Sequence, residues 1–554
     1  MGASPIINRQ SAIDNFLLRA APRLQSENPM GAEDADETRG LLVRSASIIT
    51  PLTLTSRVTG YIRDKVIALT LGAGTRSDAF FVAFRIPNML REIVGEGAMS
   101  SAFIPVYAEV AHKRSDEEAR AFVGRALGSF AAILAALTVV GILCSPLLVD
   151  LLARQFRSTP GKFALTVALN RWIFPYIFLV SVAAFCQAVL NAKHRFAAAA
   201  AAPIFLNIAM ILGAAVLAPH LEEPTYGLAA GVLLGGVLQI AIQIPQLTKM
   251  RAVGRPHLGW RDPAVRSVLL LMTPRLFAYG INTINTVIST RFAASLGNAN
   301  VSHFYYANRL KELVLGGFAV SLATAILPLL SRQALSEDRG PFKDNLAFAL
   351  RLLVFVTIPA SVGLIVLKTP IVRVLFEGGR FAAPDTRATA AALATLAAGL
   401  LFFAGVRVVV PAFYALKDTR MPVLAAMADC ATFVLLCVLL TRPMGLSGIG
   451  LAASVAAGVN LAFLLLILRR REGRLRGKEI LISFARVAVA AAVMAVALAA
   501  ASRWLDLENS RGWTGAILLV CVILGGAGIY WTAASLAGAP EPSELRAVAL
   551  RRRT

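Results

Sequence analysis

The chain has 554 residues, of which 57% are hydrophobic and only 16% charged, and 55 Lys+Arg against 32 Asp+Glu leave a formal charge of +23. A soluble domain carries ~45–50% apolar and ~25% charged residues, so this balance excludes a disordered or fibrous chain and argues against a soluble enzyme. It points to a polytopic membrane protein, where a cation excess is first a matter of topology and only then of partners such as nucleic acid.

Residues 1–42 are polar and mixed, with the acidic run Glu33-Asp34-Ala35-Asp36-Glu37. They lack the apolar core of a signal peptide. Met1-Gly2 is no myristoylation site, because position 6 is Ile6 rather than Ser or Thr. This part reads as a loose cytoplasmic tail, with a short surface helix over residues 16–21 stopped by Pro22 and a second candidate start at Met30.

A spanning helix needs ~20 mostly apolar residues. Such segments recur at about 44–71, 78–110, 122–153, 163–190, 196–218, 227–248, 267–296, 302–331, 345–375, 388–415, 422–441, 446–468, 480–502 and 513–536. The expectation is an all-α polytopic membrane protein of 14 spans, of which the first, second and eighth are the least apolar. The loops after even-numbered spans hold 21 Lys and Arg, and those after odd-numbered spans hold 9. Cytoplasmic loops carry the cation excess, so both termini are expected in the cytoplasm.

The two parts of the chain echo each other. Thr50-Pro51 returns as Thr273-Pro274, and Leu71-Gly72 as Leu296-Gly297. Ser77 and Phe80-Phe81 return as Ser302 and Tyr305-Tyr306, and the run from Ala102 to Pro105 as that from Ala325 to Pro328. Ala188 and Lys193 match Ala412 and Lys417, and the run from Gly227 to Ala230 matches that from Gly450 to Ala453. All lie at offsets of 223 to 225 residues. That offset covers six spans, and an even number preserves orientation. The prediction is two parallel six-helix repeats around a central cavity, an arrangement known among transporters, plus two extra C-terminal helices. The expected domains are a tail at 1–42, an N-lobe at 43–250, a C-lobe at 251–471, spans 13 and 14 at 472–538, and a cytoplasmic tail at 539–554.

Several charges fall inside spans. Span 1 carries Arg57, Arg63, Asp64 and Lys65; span 2 carries Arg85, Arg91, Glu92 and Glu96; span 8 carries Arg309, Lys311 and Glu312. Each costs at least ~2.5–3.5 kcal/mol at mid-bilayer, and such groups face a bundle interior or a wet cavity. One reading is structural ion pairing: Glu312 is three residues after Arg309, close enough to meet it on one helix. Glu92 is seven after Arg85, two turns away. The other is a binding site, since cations recur in the second helix of each half and spans 1, 2 and 8 would meet at the cavity. The planar arginine fork suits phosphate, so the substrate expected is an anion bearing phosphate.

No P-loop, GxSxG, HExxH or tight His/Asp cluster is present, so neither enzyme chemistry nor a cofactor or metal is expected. Cys144, Cys186, Cys430, Cys437 and Cys521 read as buried thiols, and the five histidines are scattered. Gly231 and Gly235-Gly236 read as close helix packing. Pro87, Pro105, Pro175, Pro203, Pro274 and Pro328 read as kinks or local openings of helices.

The run Ser56-Arg57-Val58, Gly60-Tyr61-Ile62-Arg63-Asp64, Gly72-Ala73-Gly74, Ser77-Asp78-Ala79-Phe80-Phe81, Phe84-Arg85-Ile86-Pro87-Asn88, Leu90-Arg91, Gly95-Glu96-Gly97-Ala98 and Ala102-Phe103-Ile104-Pro105 closely resembles the MurJ (MviN) family of lipid II flippases. The stretches from Tyr305 to Leu310 and from Leu375 to Phe381 are similar to further signatures of that family. The resemblance covers roughly residues 44–540.

It implies a transporter of the multidrug/oligosaccharidyl-lipid/polysaccharide superfamily, which moves undecaprenyl-diphosphate-linked disaccharide-pentapeptide from the inner to the outer leaflet of the bacterial plasma membrane. The family's cavity arginines fall on Arg57, Arg63, Arg91 and Arg309, and its acidic residue at the start of span 2 on Asp78. The chain departs from the pattern at Asn308, often acidic in relatives, and at Glu92, often basic. Expected partners are lipid II and membrane lipids, with a monomer that associates with cell-wall synthesis machinery and with ion or membrane-potential coupling. Alternatives at this stage are a flippase for another polyprenyl-linked oligosaccharide, a drug or metabolite exporter, a polyprenyl-lipid enzyme and a non-transporting scaffold.

Overall fold

The computed structural model describes the backbone of residues 32–91, 99–510 and 512–551 and the side chains of 50–89, 91, 99–273, 283–510 and 512–547. The chain divides into two units, Met1–Leu52 and Thr53–Thr554. The first unit contributes, among its described residues, the beginning of helix α1 (Ala32–Leu71). That helix starts twelve residues before the predicted span at 44, so the acidic run at 33–37 is helical rather than loose tail. The expected surface helix at 16–21 and the candidate start Met30 lie outside the described residues.

Everything else belongs to the second unit. Among the described residues, each further segment predicted to span is helical, in one piece or two: α2 (Thr75–Arg91) with α3 (Ser100–Lys113), α4 (Asp116–Leu143) with α5 (Ser145–Ala153), α6 (Lys162–Ile173) with α7 (Tyr176–Ala192), α8 (Ala197–Leu212), and α9 (Thr225–Ala241) with α10 (Ile244–Lys249). Next come α11 (Pro263–Ser295), α12 (Asn300–Val314) with α13 (Val320–Gln333), α14 (Gly340–Val366) with α15 (Lys368–Phe376), and α16 (Ala383–Ala398) with α17 (Leu400–Ala415). The last are α18 (Arg420–Met444), α19 (Leu446–Glu472), α20 (Gly477–Trp504), α21 (Gly512–Leu536) and α22 (Glu541–Arg551). A membrane leaves no water for an open backbone, which is why helix is the answer throughout. Among the described residues the one β feature is an isolated bridge between Gly378 and Phe381.

Ten of these helices are long and apolar enough to cross a membrane, and an eleventh results if α16 and α17, bent by 45°, form one span. The charged α1 and the α2–α3 pair fall short, as their composition predicts. The eighth predicted span does better than expected: α12–α13 passes, because the apolar run after Glu312 outweighs the charges before it. In α11 only Pro263–Thr273 registers as an apolar helix, and the side chains of 274–282 are outside the described set.

Glycines set several helix approaches, as the sequence implied. A Cβ on Gly231 would stand 2.7 Å from the Ala209 carbonyl, one on Gly235 2.5 Å from Leu206, and one on Gly236 2.8 Å from Leu179. Stretches of π-helix interrupt the α-helical ladders at Gly213–Leu217 after α8 and at Leu315–Ala319 between α12 and α13. The thiols depart from the expected burial: Cys186 and Cys437 are buried, Cys144 and Cys430 are half-buried, and Cys521 is exposed on α21. Helix α20 packs on α14 and α21, and the Tyr530 hydroxyl donates to the Phe355 carbonyl at 2.7 Å. The segment expected as a polar C-terminal tail is folded back. Its α22 buries Glu541, which accepts from Ser483 Oγ at 2.7 Å and lies 3.7 Å from Arg351.

Candidate functional site

The site begins with a carboxylate. Asp64 on α1 has no exposed surface, and a buried ion must be paired to be tolerable. Its neighbour Arg63 bonds Oδ1 through Nε at 3.0 Å and Nη2 at 2.7 Å. Arg309 of α12 bonds Oδ2 through Nε at 2.7 Å. The Tyr305 hydroxyl, one turn earlier on α12, adds a donor to Oδ1 at 3.3 Å. One carboxylate therefore joins cations from two helices 245 positions apart.

The surroundings orient these groups. Arg63 turns its Nη1 to Asn207 Oδ1 at 3.0 Å, and Asn207 donates in turn to the Ser56 carbonyl and the Thr59 hydroxyl. Gly60 faces this cluster, and a Cβ there would sit 3.3 Å from Arg309 Nη2. Arg57, two turns below Asp64 on α1, donates to the Gly316 carbonyl at 2.6 Å. Gly316 belongs to the π-turn at Leu315–Ala319. A widened turn of this kind offers carbonyls that a straight α-helix keeps to itself.

Burial separates the arginines. The Arg63 side chain is 9% exposed and serves the pair, whereas Arg309 keeps 38% exposed and can still be reached. Arg91, at the end of α2, donates to Asn88 one turn back at 3.1 Å. The stretch that follows it, with Glu92 and Glu96, lies outside the described residues. Glu312 does not pair with Arg309 despite the favourable spacing. It takes Arg407 of α17 at 2.9 Å and Lys311 at 3.6 Å instead.

Asp78 stands apart from the arginines. It too is fully buried, and both oxygens are occupied. Lys162 Nζ and the Ala299 N–H reach Oδ2 at 2.7 and 2.8 Å. The Ser302 N–H and Oγ reach Oδ1 at 2.8 and 2.6 Å. A carboxylate at the N-terminus of a helix is favoured by the free N–H groups there, and α12 supplies them across the molecule. Around it, Thr75 donates to Asn298 at 3.2 Å and the Arg380 N–H to the Leu69 carbonyl at 3.0 Å. The loops after predicted spans 1, 3, 7 and 9 thus meet in one latch.

Of the expected binding residues, Arg63 and Arg309 meet on Asp64, Arg57 turns to Gly316, Arg91 to Asn88 and Asp78 to Lys162, while Asp64, Asn207, Tyr305 and Lys162 join these clusters without having been singled out as binding residues. Asp64 was visible as an intramembrane acid beside an arginine. Asn207 and Lys162 carried no local signal, because their partners are 144 and 84 residues away.

The family model of the lipid II flippase MurJ matches residues 67–511. A probable lipid II flippase MurJ of Vibrio cholerae is 36% identical over 464 residues, covering 82% of this chain and 88% of the relative. The lipid II flippase MurJ of Burkholderia cenocepacia is 34% identical over 506 residues, covering 88% of this chain and 97% of the relative. The chain belongs to the MurJ family of lipid II flippases. A solved MurJ structure in an inward closed conformation superposes with a TM-score of 0.71 at 26% identity, covering 87% of this chain and 98% of that one. An inward-facing MATE transporter superposes at 0.63 with 15% identity and shows the shared fold alone. Membership of the MurJ family and the ten apolar helices make this a protein of the bacterial inner membrane.

Proposed function

We propose that this chain carries lipid II, the lipid-linked peptidoglycan precursor, from the inner to the outer leaflet. The observation that carries the reading is the arginine pair on one buried carboxylate: Arg309 is held by Asp64 yet keeps an exposed flank. A diphosphate offers oxygens that match two-pronged arginine donors. Arg57, Arg91 and Arg309 bind diphosphate and head group, Arg63 holds the Asp64 carboxylate that positions Arg309, and Asp78 acts on the protein itself by closing the latch. The undecaprenyl tail need not leave lipid. It runs along a groove formed by α20 and α21, so only the head crosses.

The chain works with fourteen spans, both termini in the cytoplasm, and two six-span halves that rock about the cavity. Three features support this. Among the described residues, helix occurs at each predicted position, and the loop cations divide 21 to 9. Residues matched by the internal repeat also meet in space: Ser77 and Ser302 hydroxyls lie 2.9 Å apart, and the Phe81 and Tyr306 rings meet edge-on at 5.5 Å. Contact between equivalent positions is what a two-fold axis between halves produces. With the latch on the side of the odd loops, this conformation is closed to the outside.

An exporter of cationic drugs needs an acidic cavity, and Asp64, the described acid that holds Arg63 and Arg309, is consumed by arginine. In lipid II-loaded vesicles, Arg57→Ala and Arg309→Ala should each abolish flipping while the protein remains inserted. Normal flipping by both variants refutes diphosphate binding at these residues.

A further inference from the structure

The segment joining the two halves, residues 250–262, is laced to α4. The Gly254 N–H donates to the Arg120 carbonyl at 3.1 Å, the His257 N–H to the Gly124 carbonyl at 3.4 Å, and the Gly259 N–H to Ser129 Oγ at 2.8 Å. Arg125 and Asp262 pair at 2.6 Å. Gly124 and Gly128 make the approach possible: a Cβ on either would fall on the backbone of Arg255 or of His257. The linker is therefore a fixed wall, and between it, the start of α4 and the end of α10 lies a cavity of about 660 Å³.

Its lining is cationic. Arg120, Arg251 and Arg255 face it against the lone acid Glu117. Arg120 spends its Nε on the Asp116 carbonyl. Among the described residues, the Arg251 and Arg255 side chains have neither hydrogen-bond nor ion-pair partner. Arg251 is also held in the left-handed region, φ 45°, a conformation that costs a non-glycine residue energy. Beside the cavity the same linker exposes Leu258 (60%) and Trp260 (42%). A tryptophan next to unpaired arginines is the composition of a membrane interface, and a basic pocket between helices on the cytoplasmic face fits an anionic lipid head group.

We infer that this cavity is a binding site for the phosphate of an anionic phospholipid of the inner leaflet, seated on the linker between the two halves. It rests on the topology given above, which puts the linker in the cytoplasm, and it is distinct from the transport site. Arg251 and Arg255 hold the phosphate, Arg120 closes the third side, and Leu258 and Trp260 anchor the linker at acyl-chain level.

Trp260 is a built-in reporter. The protein is reconstituted in phosphatidylcholine vesicles that contain either phosphatidylcholine or phosphatidylglycerol brominated near the head-group end of the acyl chain. Trp260 quenching is read as the difference from Trp260→Phe. At equal mole fraction, the brominated phosphatidylglycerol should quench at least twofold more strongly. In the double variant Arg251→Gln/Arg255→Gln the two lipids should quench equally, and continued quenching by phosphatidylcholine shows that the variant is inserted. Millimolar inorganic phosphate should leave the preference intact. Equal quenching of the unaltered protein by both lipids overturns the site, as does loss of the preference to free phosphate. Neither outcome touches lipid II transport, which the measurement does not require.

Discussion

At the scale of single residues, the site is governed by one acid. Asp64 bonds both the buried Arg63 and the partly exposed Arg309, so one guanidinium is structural and the other stays available. Removing one partner of a buried ion pair costs ~3–5 kcal/mol, since the other charge is left unsolvated. Asp64→Asn should therefore lower the thermal midpoint in detergent and abolish flipping together. An unchanged midpoint would mean that Arg63 has another counter-ion. Arg309→Lys separates charge from shape: it keeps the cation and loses the fork. Transport should fall at least tenfold with little change in midpoint, and full activity would show that charge alone suffices. The arginines were legible in the sequence because a charge in an apolar run is conspicuous. Asn207 was not, because an amide in the apolar α8 acquires its meaning only when α8 lies against α1.

At the scale of elements, the latch is a set of helix ends. Asp78 sits at the start of α2 and Lys162 at the start of α6, while Ala299 and Ser302 open α12. Charge-assisted hydrogen bonds contribute ~1.5–3 kcal/mol. Ser302→Ala should thus shift the equilibrium toward the outward-open form by about tenfold or more, because ~1.4 kcal/mol is one decade. Spin labels on the exposed Gln155 and Arg387 would report this as a growing long-distance population. No change would show that the backbone donors of α12 hold the latch alone. Gly72 is a second control point. Its φ of 67° favours glycine, and a Cβ would fall on the Arg380 carbonyl in the bridge to α1. Gly72→Val should open the same side and shift the same distance. The pairing expected between Arg309 and Glu312 failed for a reason at this scale: helix spacing permits a contact, but Asp64 and Arg407 on neighbouring helices offer better geometry.

At the scale of the whole molecule, charge and direction are linked. An anionic head group moving outward gains from an inside-negative potential. On the proposed mechanism, the emptied cationic site gains again on returning inward. Each elementary charge crossing 100 mV contributes ~2.3 kcal/mol. An imposed inside-negative potential should therefore accelerate lipid II flipping in vesicles, and Arg57→Gln should flatten that dependence. A rate that ignores potential would show that the moving complex is neutral. The internal repeat belongs to this scale too. Offsets near 223 are readable as faint matches in Ala- and Leu-rich sequence, and one matched pair, Ser77 and Ser302, is in contact.

The sequence by itself determined the helical membrane class, the positions of the apolar segments and the family. These follow from composition and local pattern, since a bilayer accepts an exposed backbone only as helix and penalises each charge separately. Tertiary structure alone decided which charges pair. Arg63 and Arg309 share Asp64, Asp78 binds Lys162 and the opening turn of α12, and the linker closes over α4. Partners 84 to 245 residues apart leave no local signature, because a buried ion is satisfied by whichever helix packing brings to it.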